Sequence, residues 1–302
     1  MVVWRFTDGK AGHENQTAGL LQALGERTPV VTHDVPADAC RSPFFAFLGR
    51  RMPCVADLPA PDLIVGAGHA THLPMLAARR ARGGHAVVLM KPSLPCTWFD
   101  ACIIPEHDKP GQRDHVLATR GVLNRIGHPG GKAADAGLIL IGGPSSHVTW
   151  SDESVAHQVE RIVQDTPGIH WQLGTSRRTP SGFTGLLAHL PADRLAIVPF
   201  EQAAPDWLPR QLERAVQVWV SEDSVSMVYE ALTAGAAVGL LSVKWRKCND
   251  RLGRGIRALQ QEGLVTAFDD WRRGTRLKIP AAPFDEAGRC ADWLLARWPP
   301  GA

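Results

Sequence analysis

No stretch of this 302-residue chain approaches 18 uninterrupted apolar residues, the length that a membrane-crossing helix needs. No basic segment followed by an apolar one precedes the first strand-like run at Val2, so the pattern of a secretory leader is missing too. These absences set the expectation of a cytoplasmic, non-spanning chain whose association with the inner membrane, if any, is peripheral. The six cysteines, Cys40, Cys54, Cys96, Cys102, Cys248 and Cys290, form no Cys-x-x-Cys pair and no spacing that suits zinc. They read as reduced core thiols rather than a disulfide framework. Dense basic runs are also lacking, since 33 lysines and arginines stand against 30 acids for a net charge of +3. Such a mild excess suits anionic ligands or membrane surfaces and argues against nucleic acid.

What is present is ordinary globular material, 44% hydrophobic and 21% charged, in a chain longer than most single cores. Short apolar runs alternate with helix-like segments, the pattern of parallel sheets covered on both faces. Strands are expected at Val2–Phe6, Val30–His33, Leu63–Val65, Ala86–Met90, Ala101–Ile104 and His115–Ala118, with helices at Glu14–Leu24 and Thr71–Arg82. From Thr119 to Asp135, Gly121, Gly127, Pro129, Gly130 and Gly131 break both periodicities and predict an interdomain linker. A second series follows, with strands at Leu138–Ile141, Ile169–Leu173, Arg194–Val198, Gln217–Val220 and Ala237–Leu241. Its helices are expected near Ser151–Gln164, Ser224–Ala234, Asp250–Gln261 and Asp285–Trp298. The reading is α/β: two doubly wound, Rossmann-like parallel-sheet domains facing a cleft. The first spans 1–125 and the second 136–284, and a C-terminal helix over 285–302 packs back across the domain junction.

In doubly wound sheets ligands bind at the carboxyl ends of the strands. Leu138–Ile141 runs directly into Gly142-Gly143-Pro144-Ser145-Ser146-His147, where glycines let the backbone turn sharply and amides and hydroxyls can donate to phosphate oxygens. A plain Gly-Pro turn explains the same residues. The strand Val218–Val220 leads to Ser221-Glu222-Asp223-Ser224 and a helix with an apolar stripe at Val225, Val228 and Leu232, ending at Gly235. Its N-terminus would favour an anion. Glu222 and Asp223 favour a capped crossover helix instead, since carboxylates repel a phosphate.

These features resemble the C-terminal half of MurG-like GT-B transferases, in which the glutamate of that helix holds ribose hydroxyls and the two turns hold a diphosphate. The resemblance maps Glu230 onto the ribose and Gly142, Gly143, Ser145, Ser224 and Ser226 onto the diphosphate of a nucleotide sugar. Ala237-Val238 stands where those enzymes often carry proline. Over nearly the full length the chain is similar to the family of the plant mitochondrial fission protein ELM and its bacterial glycosyltransferase-like relatives. The matching stretches are Thr7–Gln16, Gly66–Thr71, Lys91–Ser93, Ile104–Asp108, Thr119–Gly121, Ile141–Ser145 and Ser221–Glu230.

In similar enzymes the loop after the first strand carries a histidine considered as catalytic base, which points to His13, with Asp8 and Glu14 as alternatives or partners that orient it. Histidine suits the task of deprotonating an acceptor hydroxyl, although His13 or Asp8 could simply cap the helix. Lys10, Gly68, His69, Lys91, Glu106 and His107 also follow strand candidates and are expected to line the acceptor side. His69 and His72 share a helix face at i and i+3, but no third metal ligand is evident and no Asp-x-Asp follows a strand. The expectation is therefore a metal-independent reaction with no cofactor, the nucleotide-diphosphate sugar being substrate. The stretch 41–52 combines three phenylalanines with three arginines and no acid. It suits either an amphipathic segment on an anionic membrane or a core helix with arginines at its ends. The implied function is sugar transfer to an envelope lipid or glycan acceptor. Epimerisation or hydrolysis of the nucleotide sugar, and a non-catalytic membrane-peripheral adaptor, are the alternatives.

Overall fold

The computed structural model describes residues 1–40, 42–127, 131–247 and 250–300. Arg41 of the arginine-flanked stretch, Pro129 and Gly130 of the expected linker, and Cys248 lie outside the described residues. The chain divides into two units, Met1–Arg125 with Asp285–Ala302, and Ile126–Phe284.

The first unit is built on β1 (Val2–Thr7), β2 (Val31–Pro36), β3 (Leu63–Ala67), β4 (His85–Leu89), β5 (Ala101–Pro105) and β6 (Val116–Thr119). They pair in the order β2-β1-β3-β4-β5-β6 with every neighbour parallel. β3 and β5 are buried at each residue, as continuous apolar runs are when helices cover both faces. Helices α1 (Ala11–Gly25), α2 (Pro43–Gly49) and α3 (His69–Arg82) make the connections. Successive residues of β1 serve opposite faces: Val3 packs with Leu20 and Leu24 of α1, and Trp4 with Met75 and Leu76 of α3. The chain leaves β1 towards β2 and returns to β3 on the other side, so the loops after β1 and β3 part at the carboxyl edge. Such a switch point opens a crevice suited to ligands.

The second unit repeats the plan with β7 (Ala133–Leu140), β8 (Val148–Thr149), β9 (His170–Gly174), β10 (Leu195–Val198), β11 (Ala215–Ser221), β12 (Ala237–Leu241), β13 (Lys244–Trp245) and β14 (Thr266–Ala267). Six of these pair in parallel in the order β10-β9-β7-β11-β12-β14, while β8 and β13 form a separate antiparallel pair. Its helices are α4 (Asp152–Asp165), α5 (Trp207–Arg214), α6 (Val225–Thr233), α7 (Arg251–Gln261) and α8 (Phe268–Arg272). Here the order reverses between β7 and β11, which places the loops after those strands at the switch point. The chain then ends in α9 (Glu286–Arg297), part of the first unit. There Cys290, Ala291 and Leu294 share the core of Leu20 and Leu24, and Arg27, just past the end of α1, pairs with Asp292 at 2.5 Å.

The boundary between the units, after Arg125, falls inside the stretch expected to be a linker. The first part of that stretch is packed: Thr119, Leu123 and Asn124 are buried, and a Cβ on Gly19 would lie 2.1 Å from the Asn124 carbonyl oxygen, so α1 is pressed onto it. Polar Thr119 is held there by donating to the Gly121 carbonyl at 2.7 Å. β7 also begins at Ala133, inside the stretch expected to be irregular, because its first four residues lie at the partly exposed end of the strand and lack the apolar run that begins at Gly137.

Candidate functional site

At the first switch point, β1 ends at Thr7 and the chain turns through Asp8, Gly9 and Lys10 into α1. The Asp8 side chain is 2% exposed. Its Oδ2 meets Nδ1 of His13 at 2.9 Å, and its Oδ1 accepts the Lys10 amide at 3.2 Å. An ionised carboxylate can only accept, so Nδ1 of His13 carries a proton and a neutral ring presents its lone pair at Nε2. Lys10 extends outward, its Nζ 3.9 Å from the same carboxylate. The partner of His13 is thus Asp8; Glu14, half-buried one residue further on, is not the carboxylate that meets the ring.

Gly68, which follows β3, closes over this pair. Its φ is +89°, and a Cβ there would lie 2.4 Å from His13 Nδ1 and 2.7 Å from Asp8 Oδ2. Glycine is required both by the backbone conformation and by the space. His69 opens α3, and its Nδ1 meets the Ser93 hydroxyl at 2.6 Å, while Nδ1 of His72 meets the same oxygen at 3.1 Å. A hydroxyl has one proton to give and two lone pairs, so at most one of the two rings accepts at Nδ1. Burial, with His69 and His13 nearby, lowers the His72 pKa to about 4. Ser93 is reached through Met90, which follows β4 with a φ of +69°, a strained value for a residue that carries a side chain. Lys91 is exposed, with Nζ 3.4 Å from the Asp108 carbonyl. Glu106 and His107 lie in the 3₁₀ turn after β5, His107 Nε2 being 4.0 Å from Asp108 Oδ1. All these loops leave the same edge of the sheet because the strands are parallel.

The second switch point corrects the picture of a phosphate cradle at Gly142 and Gly143. The Gly142 amide donates to Ser221 Oγ at 2.7 Å, and the Gly143 amide to Asp223 Oδ2 at 3.0 Å. Their carbonyls are taken as well, Gly142 by Ser176 and Thr179 and Gly143 by Arg178. The Asp223 side chain is fully buried, and its Oδ2 also pairs with Arg178 at 2.7 Å. These glycines therefore make room for the protein itself: a Cβ on Gly142 would stand 2.1 Å from Asp223 Oδ2, and one on Gly143 2.1 Å from the Arg178 carbonyl oxygen. Gly142→Ala is expected to lower stability by about 1–3 kcal/mol in denaturant melts, because Asp223 must move and release the Gly143 amide.

What remains open to an anion is the start of α6. The first intrahelical amide bond there is Val228 to the Ser224 carbonyl, at 3.2 Å, so the amides of Val225, Ser226 and Met227 have no acceptor within the helix. Ser224 is buried and does not cap the helix with its side chain; Ser226 is exposed and shares a helix face with half-buried Glu230 at i+4. Glu222 turns inward, where burial pushes its carboxyl above the usual range against the donation of Trp245 Nε1 at 3.0 Å. Ser145 is half-buried, and its hydroxyl accepts the His147 amide at 3.2 Å.

One pair went unforeseen: His147 Nδ1 meets Asp250 Oδ2 at 2.8 Å, with Asp250 Oδ1 accepting the Leu252 amide to cap α7. Burial raises the Asp250 carboxyl, but the bonds from His147, Leu252 and Gly253 outweigh it and leave it below its ordinary value. The cap motif was readable locally, whereas the partner lies 103 residues away.

No curated protein matches the chain significantly. Among solved structures, the UDP-GlcNAc 2-epimerase of Methanocaldococcus jannaschii is similar with a TM-score of 0.61 at 10% identity, covering 98% of this chain and 100% of its own. The UDP-GlcNAc 2-epimerase of Neisseria meningitidis, bound to UDP-GlcNAc, gives 0.59 at 10% identity over 98% and 100%. MurG of Acinetobacter baumannii gives 0.57 at 12% identity over 98% and 99%. At these identities the likeness shows the fold, which is GT-B. The sequence itself is matched over residues 11–298 by a family model, and the chain belongs to that family, Mitochondrial fission ELM1.

Proposed function

We propose that the chain transfers a sugar from a nucleotide-diphosphate sugar to a hydroxyl of an envelope lipid or glycan, with His13 as general base. The observation that carries this reading is the buried Asp8 carboxylate fixing Nδ1 of His13 at a switch point, leaving Nε2 as the basic atom. As the acceptor oxygen attacks the anomeric carbon, its proton passes to Nε2 and the sugar–diphosphate bond breaks. The charge that then develops on the leaving phosphate is assigned to the amides of Val225, Ser226 and Met227 and the Ser226 hydroxyl. Glu230, one turn on, is assigned to the ribose hydroxyls. No metal and no cofactor are invoked. The fold supports a nucleotide-sugar ligand, since the neighbours named above include proteins named for UDP-GlcNAc chemistry. The same neighbours keep epimerisation in view, and product analysis without an acceptor separates it from transfer.

A thermal-shift series with UDP, GDP, ADP and their sugars tests the donor half. Ligand at a hundredfold excess over Kd adds about 2.7 kcal/mol of stability. One nucleotide class is expected to raise Tm, and Glu230→Ala or Ser226→Trp to abolish the rise. Absence of any shift favours the adaptor.

The acceptor is proposed to be met at a membrane surface. Phe44, Phe45 and Leu48 of α2 are 56%, 72% and 56% exposed, beside exposed Arg50 and Arg51. Phe47 points the other way, under the Arg80 guanidinium at 5.0 Å. Apolar side chains rimmed by cations suit an anionic bilayer. Phe44→Ser/Phe45→Ser is expected to abolish sedimentation with anionic vesicles; undiminished binding would remove α2 from the contact.

A further inference from the structure

The connection from β2 to β3 holds two thiols in a relation that the scattered cysteine pattern did not foretell. Cys40 follows the 3₁₀ turn Ala37–Ala39 and is buried; Cys54 lies in the 3₁₀ turn Pro53–Val55 and is exposed. Both are free, and their sulfurs stand 3.1 Å apart. A disulfide measures about 2.05 Å, so a shift of about 1 Å joins them. Among the described cysteines only Cys54 is exposed; Cys102 and Cys290 are buried and Cys96 half-buried. The expectation of reduced core thiols therefore fails in one respect, because Cys54 is not in the core: a small oxidant reaches it directly, and its neighbour is already within reach.

We propose that Cys40 and Cys54 form a reversible dithiol–disulfide modification site, with Cys54 the sulfur that meets hydrogen peroxide. The Cys54 thiolate attacks one peroxide oxygen, the O–O bond breaks, and water leaves after protonation. Cys54 is then a sulfenic acid. The Cys40 sulfur attacks it, the S–O bond breaks, and the departing hydroxide takes the Cys40 proton as a second water. Two thiols have given two electrons to one peroxide. Burial, followed by the neighbouring Cys54, pushes the Cys40 thiol up, so Cys40 is not the sulfur that meets the oxidant first. The bond closes a ring around residues 41–53, which contain α2 and its exposed Phe44, Phe45 and Leu48. Thiol chemistry is thereby written onto the segment with the most exposed apolar side chains of the unit. A reducing cytoplasm would return the pair to dithiol.

The test uses the purified full chain, reduced and then exposed to near-stoichiometric hydrogen peroxide. Two of the six thiols are expected to be lost to iodoacetamide. Non-reducing trypsin digestion should give peptide 28–41 joined to 52–79, about 2 Da lighter than their sum and separated by dithiothreitol. Cys96 and Cys102 fall together in peptide 83–113, so a bond between them is distinguished at once. Cys40→Ser should leave a sulfenic acid on Cys54 that dimedone captures, while Cys54→Ser should leave all remaining thiols reduced. The proposal is overturned if the wild-type chain accumulates dimedone-labelled Cys54 without the joined peptides, or gives only Cys54-linked dimers.

Discussion

Asp8→Asn is expected to lower turnover by about 100- to 10,000-fold, the range a positioned general base contributes, while leaving nucleotide binding by the second unit unchanged. The substitution keeps the size of the side chain and its acceptance of the Lys10 amide through Oδ1. It replaces the Oδ2 that faces His13 with an NH₂ group, which cannot accept from Nδ1. The imidazole must then present its lone pair to that NH₂ and carry its proton at Nε2, where a base needs to be empty. His13→Ala should lose a similar factor, and the double variant little more than either, because the two side chains act as one unit. Gly68→Ala should reproduce much of the loss without touching either residue, since its Cβ would stand 2.4 Å from His13 Nδ1. Each variant is read by turnover together with the nucleotide-induced Tm shift. Retained turnover in Asp8→Asn would remove His13 as base; loss of the Tm shift as well would mean damage beyond the pair.

The Asp8–His13 pair was legible because strand, turn and helix N-terminus lie within a dozen consecutive residues, where local chemistry and position in the fold coincide. The parallel sheets were legible for a similar reason: runs such as Leu63–Ala67 and Ala237–Leu241 are buried at every position, and only a sheet covered on both faces asks for that. The Gly142-Gly143 turn shows the limit. Its glycines were read as letting the backbone turn sharply and meet a phosphate, but what approaches them is Asp223, 80 residues on, together with the loop of Ser176 to Thr179. A glycine announces a close approach and not the identity of what approaches. The acids that seemed to oppose a phosphate at the start of α6 are turned inward, Glu222 to Trp245 and Asp223 to Arg178. Helix α5 was missed because Pro209 interrupts its periodicity near the N-terminus, where proline is tolerated. For α2 the sequence left core and membrane both open, and only the exposure of Phe44, Phe45 and Leu48 against the inward Phe47 separates the two faces.

The largest pH effect on stability is expected from His72. Its residue is 3% exposed, its ring packs edge-on against Phe99, and its pKa falls from 6.5 to about 4 through burial and then the proximity of His69 and His13. The folded chain thus holds fewer protons at this site than the unfolded one between pH 6.5 and 4. Stability rises with pH wherever the unfolded state binds more protons, so the contribution of neutral His72 is complete above pH 6.5 and is lost as pH falls through 4. Over the full window the loss amounts to about 3 kcal/mol, an upper figure because the loop can relax around a charged ring. The groups facing His72 set the window: His69 shares Ser93 with it, His13 stands nearby, and Asp8 is the carboxylate tied to His13. His72→Asn places an amide nitrogen where Nδ1 lies and cannot titrate. Denaturant melts of the two proteins across this range should show the wild-type chain losing stability relative to His72→Asn as pH falls. His69→Ala removes one repelling neighbour, so the wild-type loss should shrink and end at a higher pH. If wild type and His72→Asn lose stability in parallel, His72 is not the group that titrates.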